Sequence, residues 1–392
     1  MVPHAELRQR VADVLPEIVS MRHSLHRIPE THFQERETSA AIRAFLADSA
    51  LQILPPLLQT DTIGLLRGGS DSPCILLRSD IDALPVQERS GAAWSSERPG
   101  CAHSCGHDGH MAILLGTAKV LEALSGQLAG SVRFVFQPAE EEAAGGKALI
   151  EKGLLDIAPR PTAAFALHGW PGVPVGCLSS AAGPAMAEAD TFRITVRGRG
   201  GHGALPHRAV DPVLTAAQVV TGLQSIVSRS VDPQDSVVLS ICRIEGGKAS
   251  NVIPDEVLLE GTTRYFDRSL QGMLRERIQR TVHGTCAAAG CTAELVYEEG
   301  YVPLVNHQSA VDLARDVVTS YLGPASWFVD HSRTMGAEDF AFYLEQVPGA
   351  LLRLGLGEEW QPLHSAGFDF NDRSLEPGIV TLAGLALEFC RR

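Results

Sequence analysis

At 392 residues, 45% of them hydrophobic and 20% charged, the chain has a globular make-up and is long enough for one large domain or two ordinary ones. A formal net charge of −13 argues against nucleic acid or an anionic membrane surface as partner, and there is no uninterrupted apolar run of about 18 residues to span a bilayer. Eight scattered cysteines are too few for a disulfide scaffold and point to the reducing cytoplasm.

The first stretch, MVPHAELRQRVADVLPEIV, threads charge through apolar positions and reads as an amphipathic helix over residues 5–27, not a signal peptide. A second helix is expected over 36–48. CILLRSD (74–80), SVRFVFQ (131–137) and TAAFALH (162–168) are short apolar runs ending in polar residues, as buried strands do. DGHMAILLGTAKVLEAL (108–124) has helical spacing between them. Strands alternating with helices predict an α/β domain with a mostly parallel sheet, and its ligand sites belong at the carboxyl ends of the strands. Near residue 186 the pattern changes. Strands at 190–198, 236–244, 256–266 and 292–298, with helices at about 210–229 and 268–288, follow the order of a ferredoxin-like α+β sandwich. Helices at 307–321, 337–345 and 376–389 and a strand at 350–355 then return to the first pattern. The expected organisation is a large catalytic α/β domain in two parts, 1–185 and 300–392, interrupted by a small inserted domain, 186–299. Cys74 and Cys242 both sit in apolar strands and are expected to be buried.

HSCGHDGH, 103–110, places Cys105 and His107 on a turn before a helix. A thiolate and an imidazole at that spacing suit zinc, manganese, nickel or cobalt; equally, the segment can be a polar helix start with Asp108 taking the first amides. QPAEEEAAGG, 137–146, delivers Glu140, Glu141 and Glu142 to a turn. Alone it reads as an acidic helix start favoured by the macrodipole. Beside a metal, two neighbouring carboxylates divide the work, one binding the ion and one moving a proton. His168 and His364 supply further nitrogen ligands, or are ordinary hydrogen-bonded histidines. Asp80 and Asp82 can orient a ligand, or serve strand-end turn chemistry. In GRGGHGALPH, His202 lies among glycines that let backbone approach a ligand, or on an exposed tight turn.

The strings SDIDALP, HSCGHDGH, FQPAEEE, ALHGWPGVPVG, GRGGHGALPH, GGKASNVIP and MGAEDF together resemble the M20 metallopeptidase and aminoacylase family. They are similar above all to its amidohydrolase branch of hippurate hydrolases, N-acyl-amino-acid deacylases and indoleacetyl-amino-acid hydrolases. The motifs run in order from about residue 20 to 390. The resemblance implies two divalent ions per subunit held by Cys105, His107, Glu141, His168 and His364, with Cys105 between them. It implies Glu140 as general acid/base, Asp82 as an orienting carboxylate, and His202 as oxyanion donor, often from the neighbouring subunit of a homodimer. Asn251 and Arg264 then hold the substrate carboxylate, and the inserted domain acts as lid and dimerisation unit. Glu142, where relatives often have glycine, leaves the Glu140/Glu141 roles open by one position. The implied reaction is hydrolysis of small N-acyl amino acids. The alternatives are a dipeptidase or carboxypeptidase using the same metals, or a metal-dependent binding protein without turnover.

Overall fold

The computed structural model describes residues His4–Arg391. The chain forms two compact units, one of Met1–Gly183, Val305–Ser332 and Asp339–Arg392, the other of Pro184–Leu304 and Arg333–Glu338.

The first unit is built on a seven-stranded sheet in the order Gln52–Ile53, Thr62–Arg67, Ser131–Gln137, Cys74–Asp80, Ala163–Pro171, Gly349–Gly357, Leu178–Ser179. The four strands from Ser131–Gln137 to Gly349–Gly357 are mutually parallel, and the edges are antiparallel. Every residue of Cys74–Asp80 and Ser131–Gln137 is buried, which is why both read as continuous apolar runs: helices cover both faces of such a sheet. The two arginines in these runs bond inside the protein. Arg133 donates to the carbonyls of Leu154, Ile157 and Pro159 at 2.7–2.8 Å, while Arg78 bonds acidic partners taken up below. The His107–Ala123 helix is buried over its whole first half. Gly109 lets it close on the C-terminal segment, since a Cβ there would lie 2.4 Å from the Phe370 ring.

The parallel strands all run toward one end, so Asp80 and Asp82, the Pro138–Glu141 turn and His168 arrive there together. The His107–Ala123 helix starts at that same end, after Gly106 turns the chain at φ 89°.

The second unit carries a four-stranded antiparallel sheet ordered Val237–Glu245, Glu256–Tyr265, Glu188–Arg197, Thr292–Tyr301. The helices Pro212–Ser230 and Leu270–Ala288 bury Val219, Leu223, Ile226, Leu274, Ile278 and Val282 against one sheet face. Strict alternation in Glu188–Arg197 leaves its other face open. Asp211 caps the first helix by accepting the Val213 and Leu214 N–H groups. Residues 333–338 rejoin this unit, with Thr334 N–H donating to Ala185 O and Ala187 N–H to Gly336 O. Cys242 corrects the expectation of a buried thiol. It is exposed, because it falls at the break in register between Ile241 and Arg243, where an inward apolar run no longer predicts burial.

A candidate metal centre at the carboxyl ends of the parallel strands

Cys105 and His168 are both buried, and Cys105 Sγ lies 3.4 Å from His168 Nε2. His364 reaches the same sulfur from the opposite end of the sequence, with Nε2 at 3.3 Å from Sγ and 3.4 Å from Glu141 Oε1. It is positioned by its own backbone, which donates to Ser104 O at 2.7 Å. His107 Nε2 stands 3.8 Å from Glu141 Oε1. The ligand atoms fall into the triplets Cys105–His107–His168 and Cys105–Glu141–His364, each within 4.8 Å, and the sulfur belongs to both. Glu140, buried, joins His107 and Glu141 in a further group of the same size.

The tautomers suit a metal. His107 Nδ1 donates to the Asp82 carbonyl at 2.9 Å and His168 Nδ1 to the Gly169 carbonyl at 2.8 Å. A carbonyl only accepts, so each ring places its Nδ1–H on a carbonyl and turns Nε2 toward the centre. His107 Nε2 and Glu141 Oε1 are buried without a hydrogen-bond partner among the described residues, which a bound cation would answer. One thiolate, three imidazoles and one carboxylate form a donor set for zinc or a neighbouring transition metal. The residues therefore fit a two-ion site.

The electrostatics lean the same way. Burial, then the charges of Glu141, Glu140 and Asp80, push the Cys105 thiol well up. Burial opposes a charged His107, yet Asp80, Asp82 and Glu141 drive it up to about 10. Burial and the neighbouring His110 hold His168 well below its usual range, hence neutral. Surroundings this negative favour a cation, and a cation inverts the thiol's preference.

The three glutamates separate. Glu140 and Glu141 face the cluster, whereas Glu142 is half exposed and pairs with His32 at 3.1 Å. Asp82 is buried, accepts the Glu141 N–H at 3.0 Å and lies 3.3 Å from His107 Nδ1. His202 and Asn251 meet in the second unit, where Gly203 N–H donates to Asn251 O at 2.8 Å and His202 pairs in register with Val252. His202 Nδ1 accepts the Ala204 N–H at 3.0 Å, so Nε2 carries the proton. Arg264 stands apart from them, half-buried on the larger sheet, and donates to Thr262 Oγ1 and Thr263 O.

Sequence reasoning missed the support beneath the ligands. His110 Nδ1 donates to Asp80 Oδ1 at 2.7 Å, and its Nε2 accepts the N–H of Gly169, next to His168, at 2.8 Å. Asp80 Oδ2 takes Arg78 at 2.9 Å, and Arg78 also reaches Asp339 at 2.7 Å. Asp339 in turn accepts from Gln137 at 2.8 Å and from the Gly146 N–H at 2.7 Å. Both oxygens of Asp80 are thus engaged, one by His110 and one by Arg78. The only sequence signal for His110 was its place in HSCGHDGH, and Asp339 lay unused in MGAEDF.

Comparison with known proteins adds four findings. Residues 76–388 match the model of Peptidase family M20/M25/M40. The chain is 38% identical over 373 residues to an N-acetylcysteine deacetylase of Bacillus subtilis (strain 168), covering 94% of this chain and 96% of that one. It is 35% identical over 388 residues to an IAA-amino acid hydrolase of Arabidopsis thaliana, covering 97% and 86%. Among solved structures, a dinuclear metal-binding peptidase of the M20 family from Bacillus subtilis superposes with a TM-score of 0.84 at 33% identity, covering 97% of this chain and 99% of that one.

Proposed function

The chain belongs to peptidase family M20/M25/M40, and from that premise we propose that it is a two-metal amidohydrolase that splits small N-acyl amino acids into a carboxylic acid and a free amino acid. The observation that carries this reading is the pair of ligand triplets sharing Cys105 Sγ, with Glu140 beside them. Two similar proteins, one named a deacetylase of an N-acetyl amino acid and the other an amino-acid conjugate hydrolase, support the substrate class.

Cys105, His107, Glu141, His168 and His364 would hold the two divalent ions, which would supply Lewis acidity and lower the pKa of water at the site. Glu140 accepts a proton from the attacking water and returns it to the departing nitrogen. Asp82 fixes its neighbours by accepting the Glu141 N–H and by presenting its carbonyl to His107. His202 donates from Nε2 to the oxygen that gains charge as the carbonyl carbon becomes tetrahedral, the group of interactions that contributes most to such reactions. Arg264 pairs both oxygens of the substrate carboxylate, and Asn251, which sits beside His202 and away from Arg264, adds an amide donor from the neighbouring copy.

The second unit serves as a ferredoxin-like lid, inserted at about 186–299, and as the dimerisation surface through which His202 serves a neighbouring copy. Gly183, Pro184, Gly300 and Pro303 flank its hinges. The cytoplasm is the matching compartment, because Cys105 must remain reduced to act as a ligand. No described helix is long and apolar enough to cross a membrane.

Glu140→Gln tests the reading. It keeps both ions and lowers turnover of N-acetyl amino acids about 10²- to 10⁴-fold; turnover at the parent rate removes Glu140 from the proton-transfer role. A panel of N-acetyl amino acids, N-benzoyl amino acids and dipeptides tests the substrate class, and faster cleavage of dipeptides would favour a peptidase.

A further inference from the structure

Glu35 ends the loop before the Arg36–Leu46 helix and is completely buried. No ion pair is formed by its carboxylate among the described residues, and its Oε2 has no hydrogen-bond partner there. Burying such a group without a cation is costly. Burial first, and the charge of Asp82 further, push the Glu35 carboxyl up to about 7, with backbone N–H donors and the Thr60 hydroxyl pulling the other way. Packing alone would be served better by an apolar residue.

What Glu35 touches explains its presence. Its Oε1 accepts two backbone N–H groups, from Phe33 at 2.9 Å and from Ala139 at 3.0 Å. Ala139 precedes Glu140 and has φ 57°, in the left-handed region that a residue with a Cβ avoids. A backbone held there persists only when its surroundings over-determine it. Both polar groups of Ala139 are pinned: the N–H by Glu35, and the carbonyl by Gly145 N–H at 2.9 Å. On the other side of Glu140, Asp82 accepts the Glu141 N–H at 3.0 Å. The chain is therefore clamped by one carboxylate before Glu140 and another after it. The turn closes so tightly that a Cβ on Gly145 would lie 1.8 Å from Pro138 O.

We propose that Glu35 is a positioning residue for the reaction: by holding the left-handed Ala139 backbone it aims Glu140 at the substrate, acting through the chain and not by contact with the reacting atoms. The inference rests on Glu140 being the proton-transfer residue. The same bond ties the Phe33 loop to the catalytic turn, two segments more than a hundred positions apart in sequence.

The test compares Glu35→Ala and Glu35→Gln with the parent enzyme as purified with its metal, reading kcat, KM for an N-acetyl amino acid, bound metal per chain and melting temperature. Gln keeps an acceptor oxygen for both N–H groups, whereas Ala removes it. A misaimed catalytic group predicts a kcat loss of about 10- to 100-fold for Glu35→Ala, with KM within about threefold and metal content unchanged. Glu35→Gln should recover to within about threefold of the parent kcat. Unchanged kcat in Glu35→Ala overturns the inference. So does metal lost in proportion to activity, or Glu35→Gln as impaired as Glu35→Ala. If Glu35→Ala does not fold, Glu35→Asp, one methylene shorter, must lower kcat without lowering metal content, and parental kcat there overturns the inference equally. Glu140→Gln run alongside separates the two levels. If it is inert while the Glu35 variants are unimpaired, only the positioning role falls; if it turns over, the base role falls and takes the positioning role with it.

Discussion

His107 and Asp108 are consecutive residues at the start of one helix, yet they belong to two buried clusters of opposite character. Around Asp108 the protein supplies its own cations. Arg22 reaches Asp108 and Asp369 at 2.8 Å and Asp372 at 2.5 Å. His26 bonds Asp108 at 2.8 Å and Glu88 at 3.2 Å. Burial works against the charged His26, but these carboxylates, Asp108 foremost, push it up to about 10. Glu88, which burial would raise, is pulled down to about 2 mainly by its bond to His26. Around His107, by contrast, Asp80, Asp82, Glu140 and Glu141 gather near Cys105, and the guanidinium of Arg78 is already spent on Asp80 and Asp339. His26, Asp108 and Asp369 also meet the distance criterion for a metal site, but the arginine in their midst fills that role. Of the two clusters, the one that Arg22 does not fill is the one that fits a metal.

Four changes break or sharpen that contrast. Glu140→Gln touches catalysis alone: kcat should fall about 10²- to 10⁴-fold, the range of a lost general acid/base, with metal content and melting temperature held. Arg22→Met removes the built-in cation from the other cluster and should cost about 3–5 kcal/mol of folding stability, read by denaturant unfolding, while metal content stays at the parent value. Metal loss there would mean the clusters are not independent. His110→Ala leaves Asp80 and the Gly169 N–H without their shared partner, and should weaken metal binding about 10- to 100-fold, read by competition with a chelator.

The smallest effect is a pH dependence confined to the Arg22 side. His26 titrates higher in the folded chain than its ordinary 6.5, so its contribution is full below pH 6.5 and fades as pH rises toward 10. Glu88 titrates below its ordinary 4.5, so its contribution is full above pH 4.5 and fades as pH falls toward 2. The cluster thus stabilises most between pH 4.5 and 6.5. The stability gap between parent and His26→Gln should peak in that window and narrow by about pH 9; a gap that widens with alkali would contradict the pairing.

Much of this architecture is legible in the sequence, for a physical reason. Strands buried on both faces must be continuous apolar runs, so Cys74–Asp80 and Ser131–Gln137 appear where expected. Parallel strands must end on one side, which brings Asp82, Glu140, Glu141 and His168 into one neighbourhood. The two-residue edge strands Gln52–Ile53 and Leu178–Ser179 carry too little pattern to be seen, and Thr62–Arg67, which pairs on both sides, is not among the expected strands. The helix expected at 337–345 shrinks to Ala341–Leu344, because Asp339 is turned toward Arg78, Gln137 and the Gly146 N–H. What stays hidden is mostly pairing. Glu35 looks like an ordinary acid before a helix until Ala139 is found against it, and Arg78 looks like a lapse in an apolar strand until Asp80 and Asp339 appear. Side chains that bond metals announce themselves by type and spacing. Those that hold the backbone in place do so through partners up to 261 positions away.

The most direct test is elemental analysis of the parent chain and of Cys105→Ala after equilibrium dialysis against zinc or manganese. Because one sulfur belongs to both ligand triplets, the parent should hold two ions per chain and the variant fewer, with both ions weakened. Two tightly held ions in Cys105→Ala would contradict the shared-thiolate centre.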